Sequence, residues 1–234
     1  MKLRIILLLI MLCSNIAFAE KSIKLISDAE IENRLKIFIT PLIKAARLNP
    51  DNINIRIIND SSLNAFVTSG NNLFINTGLI IKFADDPNVL YAALAHEIAH
   101  IKAGHLVKLR GEMEDMSKMA VGGAILGLAT IIAGAPEAGM FVGSASFNAA
   151  QRGMLQYSRA HEVEADKIAV DLLYKTHNNG LGLIKFFQFL SQRDREYNPD
   201  PYLITHPLSK DRIASIQNSI KEKLGKFGDN ITPQ

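Results

Sequence analysis

The pentapeptide His96-Glu97-Ile98-Ala99-His100 lies inside an apolar run, flanked by Leu94, Ala95 and Ile101. A helix carrying it is largely buried, and two imidazoles and a carboxylate buried among apolar side chains need partners. Positions i and i+4 of a helix stack one turn apart on the same face. His96 and His100 can therefore reach one ion, with zinc–nitrogen bonds of about 2.0–2.1 Å. Glu97 is turned off that line, near enough to meet water at the ion without ligating it. Zinc lowers the pKa of water that it binds to about 7, and a carboxylate can then take the proton. His–Glu pairs also occur on solvated helix faces, but the apolar neighbours here favour a metal site.

A catalytic zinc site needs a third protein ligand and an open position. His105 is one candidate. An extended three-histidine motif would place glycine and histidine where Ala103 and Leu106 stand. His105 misses by one residue, about 100° around a continuous helix, and reads as a surface histidine or one that contacts a ligand from behind. Glu162 is the stronger candidate. It shares a helix face with Asp166, and that face continues into Ala169 and Leu173. The pair therefore points inward, where unpaired carboxylates are expensive. Glu162 as ligand and Asp166 as the acceptor that orients a histidine would satisfy both. An acidic face paired with Arg159 or Lys167 is the plain alternative, and Glu164 fits it.

The rest of the chain reads as one domain, residues 20–234, behind a leader. Lys2 and Arg4 precede the apolar run Ile5–Leu12, and Ala17-Phe18-Ala19 supplies a small-x-small cleavage pattern. Residues 1–19 are expected to be a secretory signal peptide. Their removal takes the net charge from +3 to +1 and removes Cys13, the only cysteine. No nucleic-acid partner is implied, and the mature chain would have no disulfide and no thiolate ligand.

Ser27 and Glu30 suggest a capping box, followed by a helix with Ile31, Leu35, Phe38 and Leu42 on its buried stripe. Ile53, Ile55 and Ile57 alternate with polar residues. Extended stretches near Asn64–Thr68 and Leu73–Asn76 flank the turn signal Ser69-Gly70-Asn71-Asn72. A small antiparallel sheet is expected. Pro87 opens a helix that is expected to run to about Lys108. Further helices are expected from about Gln156 to Lys175, over 181–193, and along Ile213, Ile216, Ile220 and Leu224, with a loop at Asn198–Pro201. The fold class is α+β, predominantly helical.

Residues 119–150 form two soft apolar stretches rich in Gly and Ala, broken at Pro136-Glu137. Each is short of the roughly 20 apolar residues of a membrane span. They are expected to form a helical hairpin that covers a cleft or leans on a membrane surface, with true spanning as the alternative.

Four blocks carry a family resemblance: Asn64-Ala65-Phe66 with Asn76-Thr77-Gly78-Leu79; His96 to His100; Ser158-Arg159 through Glu162 to Asp166; and Thr205-His206-Pro207 before Arg212-Ile213. In this order they resemble the HtpX/CAAX-prenyl-protease-type zinc metallopeptidases, above all the periplasmic β-barrel assembly-enhancing protease branch. The resemblance covers roughly residues 30–220. It implies a gluzincin-like domain and one zinc held by His96, His100 and Glu162, with Glu97 as base. It places His206 near the metal, either polarising a substrate carbonyl or occupying the open position as a gate. It makes Asn64, Ala65 and Phe66 part of an edge strand that pairs with an extended substrate.

That branch carries tetratricopeptide repeats after its peptidase domain, and none is expected in the sequence up to Gln234. The implied activity is cleavage of misfolded or stalled envelope proteins in the periplasm, including unfolded outer-membrane proteins, with possible contact to a membrane. A non-hydrolytic assembly factor that binds unfolded chains in the same cleft is the alternative.

Overall fold

The computed structural model describes residues 24–196, 202–203 and 206–227. The expected leader, the Asn198–Pro201 loop, Thr205 and the side chain of Leu224 lie outside the described residues.

Helix α1 spans Ala29–Ala45. Its cap is Asp28 rather than Ser27: Asp28 Oδ1 accepts from the backbone N–H of Glu30 and Ile31 at 3.0 and 3.1 Å. A carboxylate also complements the positive end of the helix, which a hydroxyl does less well. The buried stripe is Leu35, Ile39, Leu42 and Ile43. Ile31 stays 42% exposed, so the stripe begins one turn later than its spacing suggests.

The sheet contains β1 (Leu25–Ile26), β2 (Asn54–Ile58), β3 (Ala65–Thr68) and β4 (Asn72–Asn76), in the order β1-β2-β4-β3. β1–β2 and β3–β4 are antiparallel, but β2 and β4 are parallel, Asn54 opposite Asn72 through Ile58 opposite Asn76. The sheet is therefore mixed. Strand β3 passes beyond the place beside β2, and the Gly70-Asn71 turn, with both residues at positive φ, returns β4 into the gap. Burial explains the choice. β4 buries Leu73, Ile75 and Asn76, whereas β3 fully buries only Ala65. The more apolar strand takes the centre and the half-exposed one the edge.

Helix α2 (Thr77–Lys82) leads to α3 (Pro87–Ala103), which buries an unbroken run from Ala92 to His100. Pro87 stands in its first turn as expected. Its end comes at Gly104, not at Lys108. Gly104 has φ 67°, a left-handed geometry that closes helices and that glycine adopts without a Cβ clash. The chain restarts as α4 (His105–Ile132), turns, and returns as α5 (Pro136–Lys175). These two helices pack against each other as a hairpin, and α5 runs without a break through the start expected near Gln156. Helices α6 (Leu181–Glu196) and α7 (Lys210–Phe227) complete the described elements. α7 buries Ile216 and Ile220. The core joins α1 and the inner sheet face to α3, α5 and α6 through Ile39, Ile57, Ile75, Ala95, Leu173 and Phe187.

Candidate metal centre

Helix α3 delivers His96, Glu97 and His100 to the interior, each less than a tenth exposed. The one-turn spacing brings the two Nε2 atoms to 3.0 Å. Across from them, α5 presents Glu162 and Asp166. Glu162 Oε2 lies 3.3 Å from His96 Nε2, and its Oε1 lies 3.4 Å from His100 Nε2. His206, just before α7, places Nδ1 3.1 Å from Glu162 Oε1. One ligand atom from each of His96, His100, Glu162 and His206 falls within 4.8 Å of the others. Asp166 stands behind this group, with Oδ1 3.0 Å from His96 Nδ1. A proton held there fixes the tautomer that turns Nε2 towards Glu162.

The donor set suits a divalent cation. Two imidazoles and a glutamate are a known zinc ligand set. Among the described residues, the buried carboxylates Glu97, Glu162 and Asp166 share one buried arginine, Arg212, so a cation bound among them would offset the remaining negative charge. Four buried atoms at the site, His96 Nδ1, Glu97 Oε2, Glu162 Oε2 and His206 Nε2, lack a hydrogen bond of good geometry.

Electrostatics separates the roles. Burial pushes the Glu97 carboxyl up, against the pull of His206 and His96, as suits a proton acceptor working near neutral pH. Burial pushes His100 well down, and His96 adds to that. A neutral imidazole is the form that binds metal. Burial would lower His96 as well, but hydrogen bonds to Asp166 and Glu162 outweigh it and carry the group to about 9. Burial opposes ionisation of Asp166 and Glu162. Even so, Arg212 and His96 hold Asp166 below the usual carboxylate range, and His206 and His96 hold Glu162 below it.

Two contacts were not visible in the spacing of residues. Arg212, at the start of α7, is buried, and its Nε and Nη2 each donate to Asp166 at 2.8 Å. Its Nη1 sits 3.0 Å from Glu162 Oε2 and donates to the carbonyl of Pro207 at 2.9 Å. Two inward carboxylates on α5 implied a cation, but not its place in the chain. Tyr202, wholly buried, donates to Glu97 Oε1 at 3.4 Å.

His105 is buried, not on the surface. Its Nδ1 lies 2.9 Å from His100 Nδ1 and its Nε2 3.2 Å from Glu164, so it touches a candidate ligand from behind. The break at Gly104 changes the geometry that argued it out of the cluster, yet it stays outside. Glu164 is half-exposed and pairs with His105 and Lys108, rather than with Arg159 or Lys167.

A cavity of about 280 Å³ opens beside the cluster, lined by Phe66, Val67, His100, Leu106, Leu109 and His206 among others. Phe66 and Val67 of the edge strand thus reach the cleft. The side chains of Asn64 and Ala65 are buried and do not line it.

Comparisons with known proteins agree with this geometry. The pattern of peptidase family M48, whose members use zinc, matches residues 29–220. The β-barrel assembly-enhancing protease of Yersinia pestis is 29% identical over 163 residues, covering 69% of this chain and 33% of that protein. A putative β-barrel assembly-enhancing protease of Vibrio cholerae is 30% identical over 167 residues, 71% of this chain and 34% of that protein. Metalloprotease LoiP of Escherichia coli (strain K12) is 28% identical over 199 residues, 82% of this chain and 71% of that protein. The chain spans about a third of the length of the first two relatives. The chain belongs to peptidase family M48.

Proposed function

We propose that the chain is a zinc-dependent endopeptidase of the cell envelope, acting on unfolded or stalled envelope proteins. The observation that carries this is the buried His96, His100, Glu162 and His206 group within 4.8 Å, with an unbonded oxygen of Glu97 beside it. His96, His100 and Glu162 would hold the zinc, which supplies Lewis-acid polarisation and acidifies water. An extended substrate adds to the free edge of β3. Its neighbouring side chain enters the cavity between Phe66, Val67 and Leu109. Glu97 takes the proton of the attacking water and delivers it to the departing amine nitrogen. Tyr202, kept protonated by burial, holds the Glu97 carboxylate in place. Asp166 and Arg212 fix His96 and the backbone after His206. His206 Nε2, 3.6 Å from Glu97 Oε1, is placed to donate to the carbonyl oxygen as charge develops on it.

The envelope assignment draws on the leader pattern at residues 1–19 and on the names of the relatives. The reading is tested by incubating the purified mature chain with an unfolded protein such as reduced casein. Internal cleavage should appear by mass spectrometry, stop with chelator, return with zinc, and be lost in Glu97→Gln. If Glu97→Gln keeps the biological activity, the cleft works as a binder of unfolded chains and not as a peptidase.

A further inference from the structure

The α4–α5 hairpin is built inside out. From Met119 to Gln151 the sequence has one charged residue, Glu137 at the tip. Where the two helices touch, the residues are small. A Cβ on Gly127 would come within 2.5 Å of the Gly139 carbonyl oxygen, and one on Gly123 would strike Ser146. Gly123 and Gly127 are four residues apart, so α4 brings a small-xxx-small face against Ser146, Gly139 and the backbone of Gly143 on α5.

Apart from Ile131, whose Cγ1 lies against Gly139, the large apolar side chains face away from this contact. Ile125, Leu126, Leu128 and Ile132 on α4 are between 59% and 79% exposed, and so are Phe141 and Phe147 on α5. At 100° per residue, the outward residues of α4 from Leu128 to Leu126 sweep about 160° of its circumference. The hairpin hydroxyls are also satisfied internally. Thr130 donates to the Leu126 carbonyl, Ser144 to Phe141 and Ser146 to Val142.

Small residues at a helix contact, large apolar residues outside and internally bonded hydroxyls are what a lipid environment selects. A second protein surface would cover one face of the hairpin and leave the others in water, whereas acyl chains surround it. By length and composition α4 is apolar enough to cross a membrane, but its charge-free part, Met119–Ile132, is about 21 Å long at 1.5 Å per residue. That exceeds one leaflet of about 15 Å and falls short of the full core of about 30 Å. The chain then turns back at Pro136.

We infer that residues 119–147 insert, tilted, into a single leaflet of a phospholipid bilayer and anchor the domain there without crossing. The same two helices continue into the cleft, where Leu106, Leu109 and His161 line the cavity. Leu109 is about 15 Å along α4 from Met119. Insertion therefore holds the cleft just above the headgroups. On the peptidase reading proposed above, it would favour chains lying at the membrane surface. The insertion itself does not depend on catalysis.

The test uses the full chain with Cys13→Ser and one new cysteine carrying a polarity-sensitive fluorophore, at Leu128, at Phe141 or at Glu112. The probe is vesicles of phosphatidylethanolamine and phosphatidylglycerol, spin-labelled either at mid-acyl chain or at the headgroup. Labels at Leu128 and Phe141 should be quenched about two-fold more by the acyl-chain label than by the headgroup label. The label at Glu112 should show no acyl-chain quenching. Failure of acyl-chain quenching at both hairpin positions overturns the inference, even if the vesicles bind the chain by another segment. Burial of the two labels by self-association without vesicles, reversed on dilution, also overturns it and assigns the surface to a second copy. Each outcome is read without a cleavage assay, so it stands apart from the test of hydrolysis.

Discussion

Arg212 grips Asp166 through two parallel hydrogen bonds of 2.8 Å, Nε to Oδ2 and Nη2 to Oδ1. Asp166 in turn lies 3.0 Å from His96 Nδ1, so α7 sets the orientation of a ring on α3 through one carboxylate on α5. The same guanidinium accounts for the buried charge of Asp166, because an unpaired carboxylate there would be strongly destabilising.

Arg212→Lys keeps the charge but loses the two-pronged geometry. It should destabilise the fold by roughly 2–4 kcal/mol, since it weakens a buried pair without wholly removing it. It should also weaken zinc binding about 10-fold or more, by releasing the partner that orients His96. Thermal denaturation of the metal-free protein and competitive zinc titration read the two effects separately. Unchanged zinc affinity would remove Arg212 from the support of the site.

The β3 edge makes a second prediction. Asn76 N–H donates to the Asn64 carbonyl at 2.9 Å. Alternation along an antiparallel pair then turns Phe66 and Thr68 towards β4, and Ala65 and Val67 towards the free edge. Val67→Pro removes an outward N–H and leaves the ladder to β4 intact, as proline allows on an edge strand. Cleavage of a peptide substrate should fall about 10-fold or more in kcat/KM, with zinc content and melting temperature nearly unchanged. Wild-type kcat/KM would show that substrate does not pair with this edge.

Asp171 ties α5 to α7, accepting from Lys223 at 2.7 Å and pairing with Lys175 at 2.6 Å. Partial burial opposes its ionisation, but the two lysines outweigh that and hold its carboxyl below the usual range. A depressed folded-state pKa stabilises above the unfolded value and is lost as the pH falls through the folded one. Asp171→Asn should therefore lower stability by about 0.5–1 kcal/mol at pH 7, a shift of about 1–4 °C in melting temperature. The difference from wild type should shrink below about pH 4. A difference that persists at pH 3 would show the effect is not ionic.

The sequence made half of the site readable for a simple reason. Helical spacing fixes which residues share a face, so His96 with His100, and Glu162 with Asp166, could be paired before any tertiary contact was known. It could not show which cation meets Asp166, because Arg212 arrives from an element forty-six residues on. Tyr202 has the same character. The parallel β2–β4 pair also escaped, since alternation describes one strand's faces and not its neighbour. The end of α3 was readable: Gly104 is a common helix stop, but the apolar pattern around it suggested continuity. In the hairpin, the apolar stretches were evident, whereas the glycine contacts that turn its large residues outward depend on how the two helices pair.

Metal content tests the central claim most directly. Purified chain dialysed against limiting zinc should hold one zinc per molecule by elemental mass spectrometry. His96→Ala and Glu162→Gln should each lose most of it, and Glu97→Gln should retain it. Wild type without stoichiometric zinc, or a Glu162→Gln variant that binds it as tightly as wild type, would contradict the assignment of this centre.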